Sequence, residues 1–447
     1  MNFDNLRLAL ERALAARGAG EYEIYYVEED STSVETLNKE VNSFSSGSSA
    51  GICLRVAHEG RMGYASTELM EEGEMAGLVD RAIANARATE KEDLVGIYAG
   101  GEEYDALTEV SFAPNDASEL RAVALDMAAR IYEAGDNVKD GTASQAITAS
   151  GTTRLYNSHG LALEVSGGVN VVLAQAVVSD GTSAESDYEM RELTDGLDLS
   201  ELAEKTVSTA NRKLTATLVP TGKYNVIIDG KRMRMILSAF ASAFSAKSAQ
   251  MGMSRLAGKV GEKIAADIIT VTDDPQREGM AMRTNFDAEG VPARKKAVIE
   301  GGVLKTLLHN RETAAKDGCA STGNASKASY SSPIGIRPYA FCIEPGENTV
   351  EELYAMAGEG ILITELKGLH AGANAITGDF SIESSGFMIR DGKLCEAVKS
   401  FTVAGNFFEL LSSVAALSDE VEVGIGTSLT TFGSPAVLIR DMNVSGK

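Results

Sequence analysis

Four histidines, His58, His159, His309 and His370, are the first candidates for metal chemistry in this chain. No two lie within helical reach of each other. His58-Glu59 opens like HExxH, which needs a second His one turn on, so that both ring nitrogens face one ion with the Glu beside its bound water. The residues that follow are Gly60-Arg61-Met62-Gly63, and the second ligand is missing. Each histidine is expected to be a surface or satisfied core residue. A site assembled from distant parts of the chain stays open.

Nucleophiles come next. Gly47-Ser48-Ser49-Ala50-Gly51 matches G-x-S-x-G, but that motif acts only as a strained strand-to-helix elbow. Here a polar Ser/Gly run leads into a strand near 51–57 with no helix behind it, so a serine hydrolase is not expected. Cys53, Cys319, Cys342 and Cys395 are scattered, with no CxxC pair and no neighbouring His in sequence. Neither a disulfide framework nor a cysteine-rich zinc site is indicated, and a reducing cytoplasm fits. Gly258-Lys259-Val260-Gly261-Glu262-Lys263 lacks Walker spacing, and no GxGxxG joins a strand to a helix, so no nucleotide cofactor is implied. Among the carboxylates, Asp273-Asp274-Pro275 reads as a turn after a strand at 268–272. Asp379, beside Gly378, reads as a residue capping a turn through its own backbone.

The elements that must position these groups follow from periodicity. The 447 residues are enough for two or three domains, and 44% hydrophobic with 23% charged residues is ordinary for a soluble protein. Proline marks a boundary: only Pro114 precedes Pro220, and six more follow it. Residues 1–220 and 221–447 are therefore expected to be separate units. In the first, a helix at 3–17 precedes strands near 22–28, 33–41, 51–57 and 62–66 and a helix bearing Met75, Leu78, Val79 and Ile83. The order then repeats: a helix near 117–134, strands near 143–149, 152–156, 161–166 and 169–178, and a helix near 199–211. Two passes of helix, strands, helix predict an α+β unit with antiparallel sheets and an internal duplication. The second unit opens with strand 224–228 and an apolar helix near 231–248. It continues as strands and loops, with a hairpin at 298–308, a helix near 349–358 and another at 405–415. A β-rich, barrel-like domain with packed helices is expected.

The charge excludes some partners. With 41 Lys+Arg and 64 Asp+Glu the net charge is −23, which repels phosphate backbones and anionic lipid. Lys231-Arg232-Met233-Arg234 is the best basic cluster and it is small, so neither nucleic acid nor membrane is expected as a partner. Solubility is the plain reading of the acidity. Charges interrupt the N-terminal stretch, which does not read as a signal peptide. No segment has the uncharged apolar length of a membrane span. A cytoplasmic location is expected.

Residues 367–411 hold the densest pattern: Thr377-Gly378-Asp379-Phe380-Ser381, a strand-like run, an Asp391-Gly392 turn and a second strand ending in Ala404-Gly405-Asn406. With Phe286-Asp287-Ala288-Glu289-Gly290 and Pro292, Ser321-Thr322-Gly323-Asn324-Ala325 and Ile343-Glu344-Pro345-Gly346, this resembles the TldD/PmbA family, often labelled modulators of DNA gyrase. The family resemblance implies a two-subunit metallopeptidase. One subunit, TldD, carries HExxxH on a helix early in its second domain and a late Cys as zinc ligands. The other, PmbA or TldE, lacks them. Here the matching helix reads RMRMILSAFASAFSAKSAQMG, with no His, Asp or Glu from Lys231 to Gly261 and no Cys after Glu396. Residues such as Ser238, Phe240 and Ala243 leave a helix that can pack but cannot bind a borderline cation. The chain thus resembles the PmbA/TldE-type subunit, with no catalytic, metal or cofactor residue of its own and zinc expected only in its partner.

The resemblance implies an HExxxH-bearing TldD-type partner, an unfolded peptide as substrate, and a homodimer as the other pairing. Asn324, Gly378, Asp379, Phe380 and Ser381 are the candidates for contacting peptide or for holding the motif's turns. The alternative function is a non-enzymatic regulator that binds a protein target such as DNA gyrase or a toxin–antitoxin component.

Overall fold

The computed structural model describes residues 3–90, 95–108, 110–426 and 428–447. The first unit runs α1 (Phe3–Ala16), β1 (Glu21–Leu37), β2 (Glu40–His58), β3 (Arg61–Thr67) and α2 (Glu72–Ala88). The same order returns in α3 (Ala117–Glu133), β4 (Ala143–Asn157), β5 (Ala162–Ser179), β6 (Ala184–Glu192) and α4 (Leu199–Leu214). The strands form one antiparallel sheet, β3-β2-β1-β4-β5-β6, in which β1 and β4 join the two repeats. Local chemistry sets the helix starts. Asp116 accepts from the N–H groups of Ser118 and Glu119, while the Glu119 carboxylate accepts from the Asp116 N–H, a reciprocal cap that satisfies the free donors of α3.

Side-chain alternation gives the sheet two buried faces. Ile24, Tyr26, Ile52, Leu54 and Val56 pack under α1 and α2 against Leu6, Leu10, Met75 and Leu78. Val172, Ala174, Ala176 and Val178 do the same under α3 and α4 against Met127, Ile131, Leu202 and Val207. Tyr25, Cys53, Leu155 and Val165, one residue out of phase, lie against Phe286, Ala288 and Ala325 of the second unit.

The strands are longer than the periodicity predicts. β1 runs unbroken through Glu29-Asp30-Ser31-Thr32-Ser33, and the turn to β2 is Asn38-Lys39, with φ of 52° and 72°. β4 and β5 each join two expected strands, and the polar β6 was not expected. β1 and β4 bond a neighbour on each side, so their ladders hold the backbone extended without an apolar side-chain stripe. Gly47–Gly51 sits inside β2 rather than at an elbow.

The second unit contains a closed five-stranded barrel: Gly222–Ile228, Gly360–Lys367, Asp379–Arg390, Lys393–Asn406 and Val437–Ser445. Thr402↔Ser445 and Val403↔Val444 close it. Helix α5 (Gly230–Phe240) starts at Asp229, whose carboxylate accepts from the Arg232 N–H at 2.8 Å. It buries Met233, Ile236, Leu237 and Phe240 in one core with Val226, Ile361, Ile382, Phe401 and Val403. A second sheet contains strands Lys296–Glu300, Val271–Asp274, Ala340–Ile343 and Thr431–Ser434. Its Gly301-Gly302 turn matches the predicted hairpin.

Three expectations need correction. The helix near 231–248 breaks at Ala241 into a tighter turn over Ala241–Phe244, because Leu308 claims its backbone: the Leu308 N–H donates to Phe244 O and the Ala246 N–H donates to Leu308 O. The Ser254 hydroxyl takes the freed Ala243 carbonyl. The helix at 405–415 is only Phe407–Ser412, since Gly405 and Asn406 pair in the barrel. Asp273-Asp274 lies in strand Val271–Asp274, not in a turn after it. Among the described residues no helix is long and apolar enough to cross a membrane.

Candidate functional site

Gly378 to Ser381 begins a barrel strand, and its contacts are internal. The Asp379 carboxylate accepts from the Asn406 side-chain amide at 2.9 Å, and that amide also donates to Thr377 O. Hydrogen bonds from Asn406 and Thr377 hold the Asp379 carboxyl below its ordinary range. Gly378 has φ +82°, and a Cβ there would lie 2.8 Å from the Phe408 ring. Phe380 is buried edge-on to Phe240, which stacks on Phe407 at 4.6 Å. Ser381 faces solvent.

Asn324 is a buried hub. Its amide donates to Asp273 Oδ2 at 2.7 Å and to Arg337 O at 3.1 Å, while its carbonyl accepts from the Thr322 hydroxyl. Asp273, fully buried, also accepts from the Tyr339 N–H and pairs with Lys296 at 3.1 Å. This network explains why Asp273 is in the core: three donors replace the water its carboxylate loses.

Asp273 and Asn324 brace the edge of a cavity of about 410 Å³ between the sheet and the second unit. β1 and β4 supply Tyr25, Val27, Gly151 and Thr153, and the facing loops supply Phe286, Asp287, Lys327 and Tyr339. Asp287 and Glu289 of the FDAEG block are both buried. Three backbone N–H groups, of Glu289, Val291 and Ala325, donate to Asp287. Burial and the Glu289 charge outweigh them, and the Asp287 carboxyl is raised to about 8. Burial likewise raises Glu289, opposed by Arg55 and by the Arg311 N–H. The block's carboxylates are buried at the junction of the two units.

The second concave feature runs along α5 and has a volume of about 520 Å³. Arg234, Met235, Ser238 and Ala239 form one wall, and Leu366, Leu369, His370 and Phe432 form the other. Of the residues singled out on this helix, only Ser238 faces the groove; Phe240 and Ala243 are wholly buried. Arg234 entered the sequence reading only as part of the small basic cluster at 231–234, although its i, i+4 spacing from Ser238 was legible.

The implied zinc does not fit this groove. A zinc site needs three donors and a carboxylate for the proton. The lining holds one imidazole, His370, and a guanidinium that repels a cation. Among the described residues, no three His, Cys, Asp or Glu side chains are gathered to hold a metal. The fold does bring Cys319 within 3.9 Å of His309, a pair that the sequence could not show. Burial lowers the His309 pKa and raises that of Cys319, both shifts running against those that activate a thiol beside an imidazole.

Comparisons agree with this architecture. Residues 221–446 match the PmbA/TldA metallopeptidase C-terminal domain, and residues 22–86 match domain 1 of the same family. A Methanothermobacter thermautotrophicus protein named metalloprotease is 30% identical over 90% of both chains. The metalloprotease PmbA homolog of Haemophilus influenzae is 25% identical over 98% of this chain and 94% of its own. A crystal structure from Thermotoga maritima, named as a modulator of a DNA gyrase, superposes with a TM-score of 0.88 at 27% identity, covering 99% of this chain and 100% of its own. TldE from Thermococcus kodakarensis, at 23% identity and a TM-score of 0.84, covering 98% of this chain and all of its own, shares the fold.

Proposed function

This chain belongs to the PmbA/TldD metallopeptidase family, and from that membership we propose that it is the zinc-free, PmbA/TldE-type subunit of a two-subunit peptidase acting on unfolded peptide. One observation carries the reading. Arg234 and Ser238 line the groove along α5, the helix that the family resemblance matches to the one carrying HExxxH in the catalytic subunit. A guanidinium and a hydroxyl can bind and orient a peptide through hydrogen bonds, but they cannot activate water as a metal does.

The scaffold offers a way to hold an extended chain. β3 pairs with β2 only over Ile52–His58, so over Glu40–Gly51 the edge of β2 that faces away from β1 has no strand beside it among the described residues. Main-chain bonds to such an edge give affinity with little sequence demand. The chain's part in the reaction is then to bind, orient and enclose, while the TldD-type subunit supplies zinc and the attacking water.

The test is hydrolysis of an unstructured peptide, with zinc added, by this chain, by an HExxxH-bearing TldD-type subunit, and by the two mixed. The expected result is hydrolysis that requires the second subunit and rises on mixing, together with co-elution of the pair. Zinc-dependent hydrolysis by this chain alone would overturn the reading.

A further inference from the structure

The cluster Lys231-Arg232-Met233-Arg234 opens α5, and two of its three cations are committed. Lys231 pairs with Glu189 of β6, and Arg232 with Asp229 at 3.2 Å. Arg234 has neither a hydrogen bond nor an ion pair among the described residues, and its Nε is buried without a partner. The largest attraction on it comes from Glu422, with a smaller one from Asp229, and neither forms an ion pair with it. Burial works against its charge. Half-buried guanidinium groups are normally retained where planar hydrogen bonding to a carboxylate or phosphate satisfies them.

The rest of the groove selects between those anions. Met235, Ala239, Leu366, Leu369 and Phe432 are apolar, and Ser238 and His370 are the polar groups beside Arg234. Phosphate seeks several donors and cations. One guanidinium in the wall of a largely apolar trough matches an apolar body ending in a single carboxylate. We propose that the α5 groove binds the free C-terminus of a peptide, with the carboxylate on Arg234 and an apolar last side chain against Leu366, Leu369 and Phe432. That the ligand is a peptide rests on the proposed function; the carboxylate preference rests on Arg234 itself. In a two-subunit peptidase such a site would anchor the end of the chain being cut.

The test uses the full chain without a partner and three probes: a short peptide ending in Leu as the free acid, the same peptide amidated, and 4-methylpentanoate. Binding is read by fluorescence anisotropy for the peptides and by calorimetry for the small acid. The free acid is expected to bind at least about tenfold more tightly than the amide, the size of one charge-assisted hydrogen bond lost. In Arg234→Gln the preference disappears, and in Arg234→Lys it falls because a bidentate pair is no longer possible. Ser238→Phe, which fills the groove, abolishes binding of all three probes and serves as a second variant. Thermal melts of Arg234→Gln should match or exceed those of the parent, since an unpaired buried charge is removed. Equal affinity for acid and amide, or no binding of either peptide or small acid, overturns the proposal. Binding of 4-methylpentanoate but not the peptide acid keeps the carboxylate site and removes the peptide identity. Peptide hydrolysis by the mixed subunits without Arg234-dependent binding sinks the groove while the accessory-subunit reading stands.

Discussion

Glu23 and Arg55 face each other across β1 and β2, with Arg55 Nη1 2.9 Å from Glu23 Oε1 and both side chains almost wholly buried. They sit on the sheet face covered by the second unit. Glu23 Oε2 and Arg55 Nε have no hydrogen-bond partner, so the pair is incompletely compensated. Arg55 also attracts Glu289 across the junction, while Glu23 repels it. The two units therefore meet over charge as well as over the apolar contacts of Tyr25, Leu155 and Phe286.

Arg55→Met should destabilise by about 3–5 kcal/mol, because it leaves Glu23 buried and unpaired and removes the charge opposite Glu289. The double variant Glu23→Leu/Arg55→Met should recover much of that loss, since apolar replacement of a buried pair is often near neutral. Urea denaturation of the parent, both single variants and the double variant gives the coupling. Equal losses in the single and double variants would show that Arg55 acts by packing alone.

Asp287 predicts a pH dependence with a definite sign. Its carboxyl is raised to about 8 in the fold, against about 3.9 in an unfolded chain. The folded state therefore binds the proton more tightly. Stability from this group is complete below the unfolded value and is lost as pH rises through the folded one. Asn at this position cannot titrate, and it turns an amide toward one of the backbone N–H donors. Asp287→Asn should therefore cost most near pH 5 and progressively less toward pH 8. Denaturation midpoints across that range check it, and a gap independent of pH would mean that Asp287 stays ionised.

Part of this was legible in the sequence because local rules decide it. The helical spacing of Met75, Leu78, Val79 and Ile83 specifies its element without help. So does the order helix, strands, helix in each half. Other parts depend on distant partners. The polar run Ser43–Ser49 is a strand because β1 holds it. Asp273 looks like a turn residue until Asn324, Tyr339 and Lys296 close around it. Which cation of the 231–234 cluster stays unpaired turns on Glu189 of β6, a strand whose sequence carries no apolar period. The open edge of β2 over Glu40–Gly51 could not be anticipated while β2 was read as a strand near 51–57 alone.

Asn324→Ala separates bracing from peptide contact. It removes a donor from Asp273 Oδ2, which is buried away from water, and another from Arg337 O. The expected loss is about 1–3 kcal/mol, the scale for leaving a buried polar group unsatisfied. Peptide binding measured well below the new midpoint should be unchanged. A stable variant with weakened binding would instead place Asn324 at the ligand.

Gly378→Ala tests the Thr377–Ser381 motif itself. The backbone at 378 is left-handed, and a methyl group would press on the Phe408 ring and on the Asn406 amide at 2.8–2.9 Å. That amide holds both Asp379 and the Thr377 carbonyl. Relief requires the helix beginning at Phe407 to shift, disturbing the Phe407–Phe240 stack beneath α5. Strain at a non-glycine left-handed position with a close contact costs about 1–3 kcal/mol. Ser381→Ala, on the solvent face of the same strand, should stay within about 0.5 kcal/mol. Thermal and urea midpoints of the two variants measure the contrast. Equal small effects would show that the turn can relax without moving Asn406, and the motif would then need another reason for its residues.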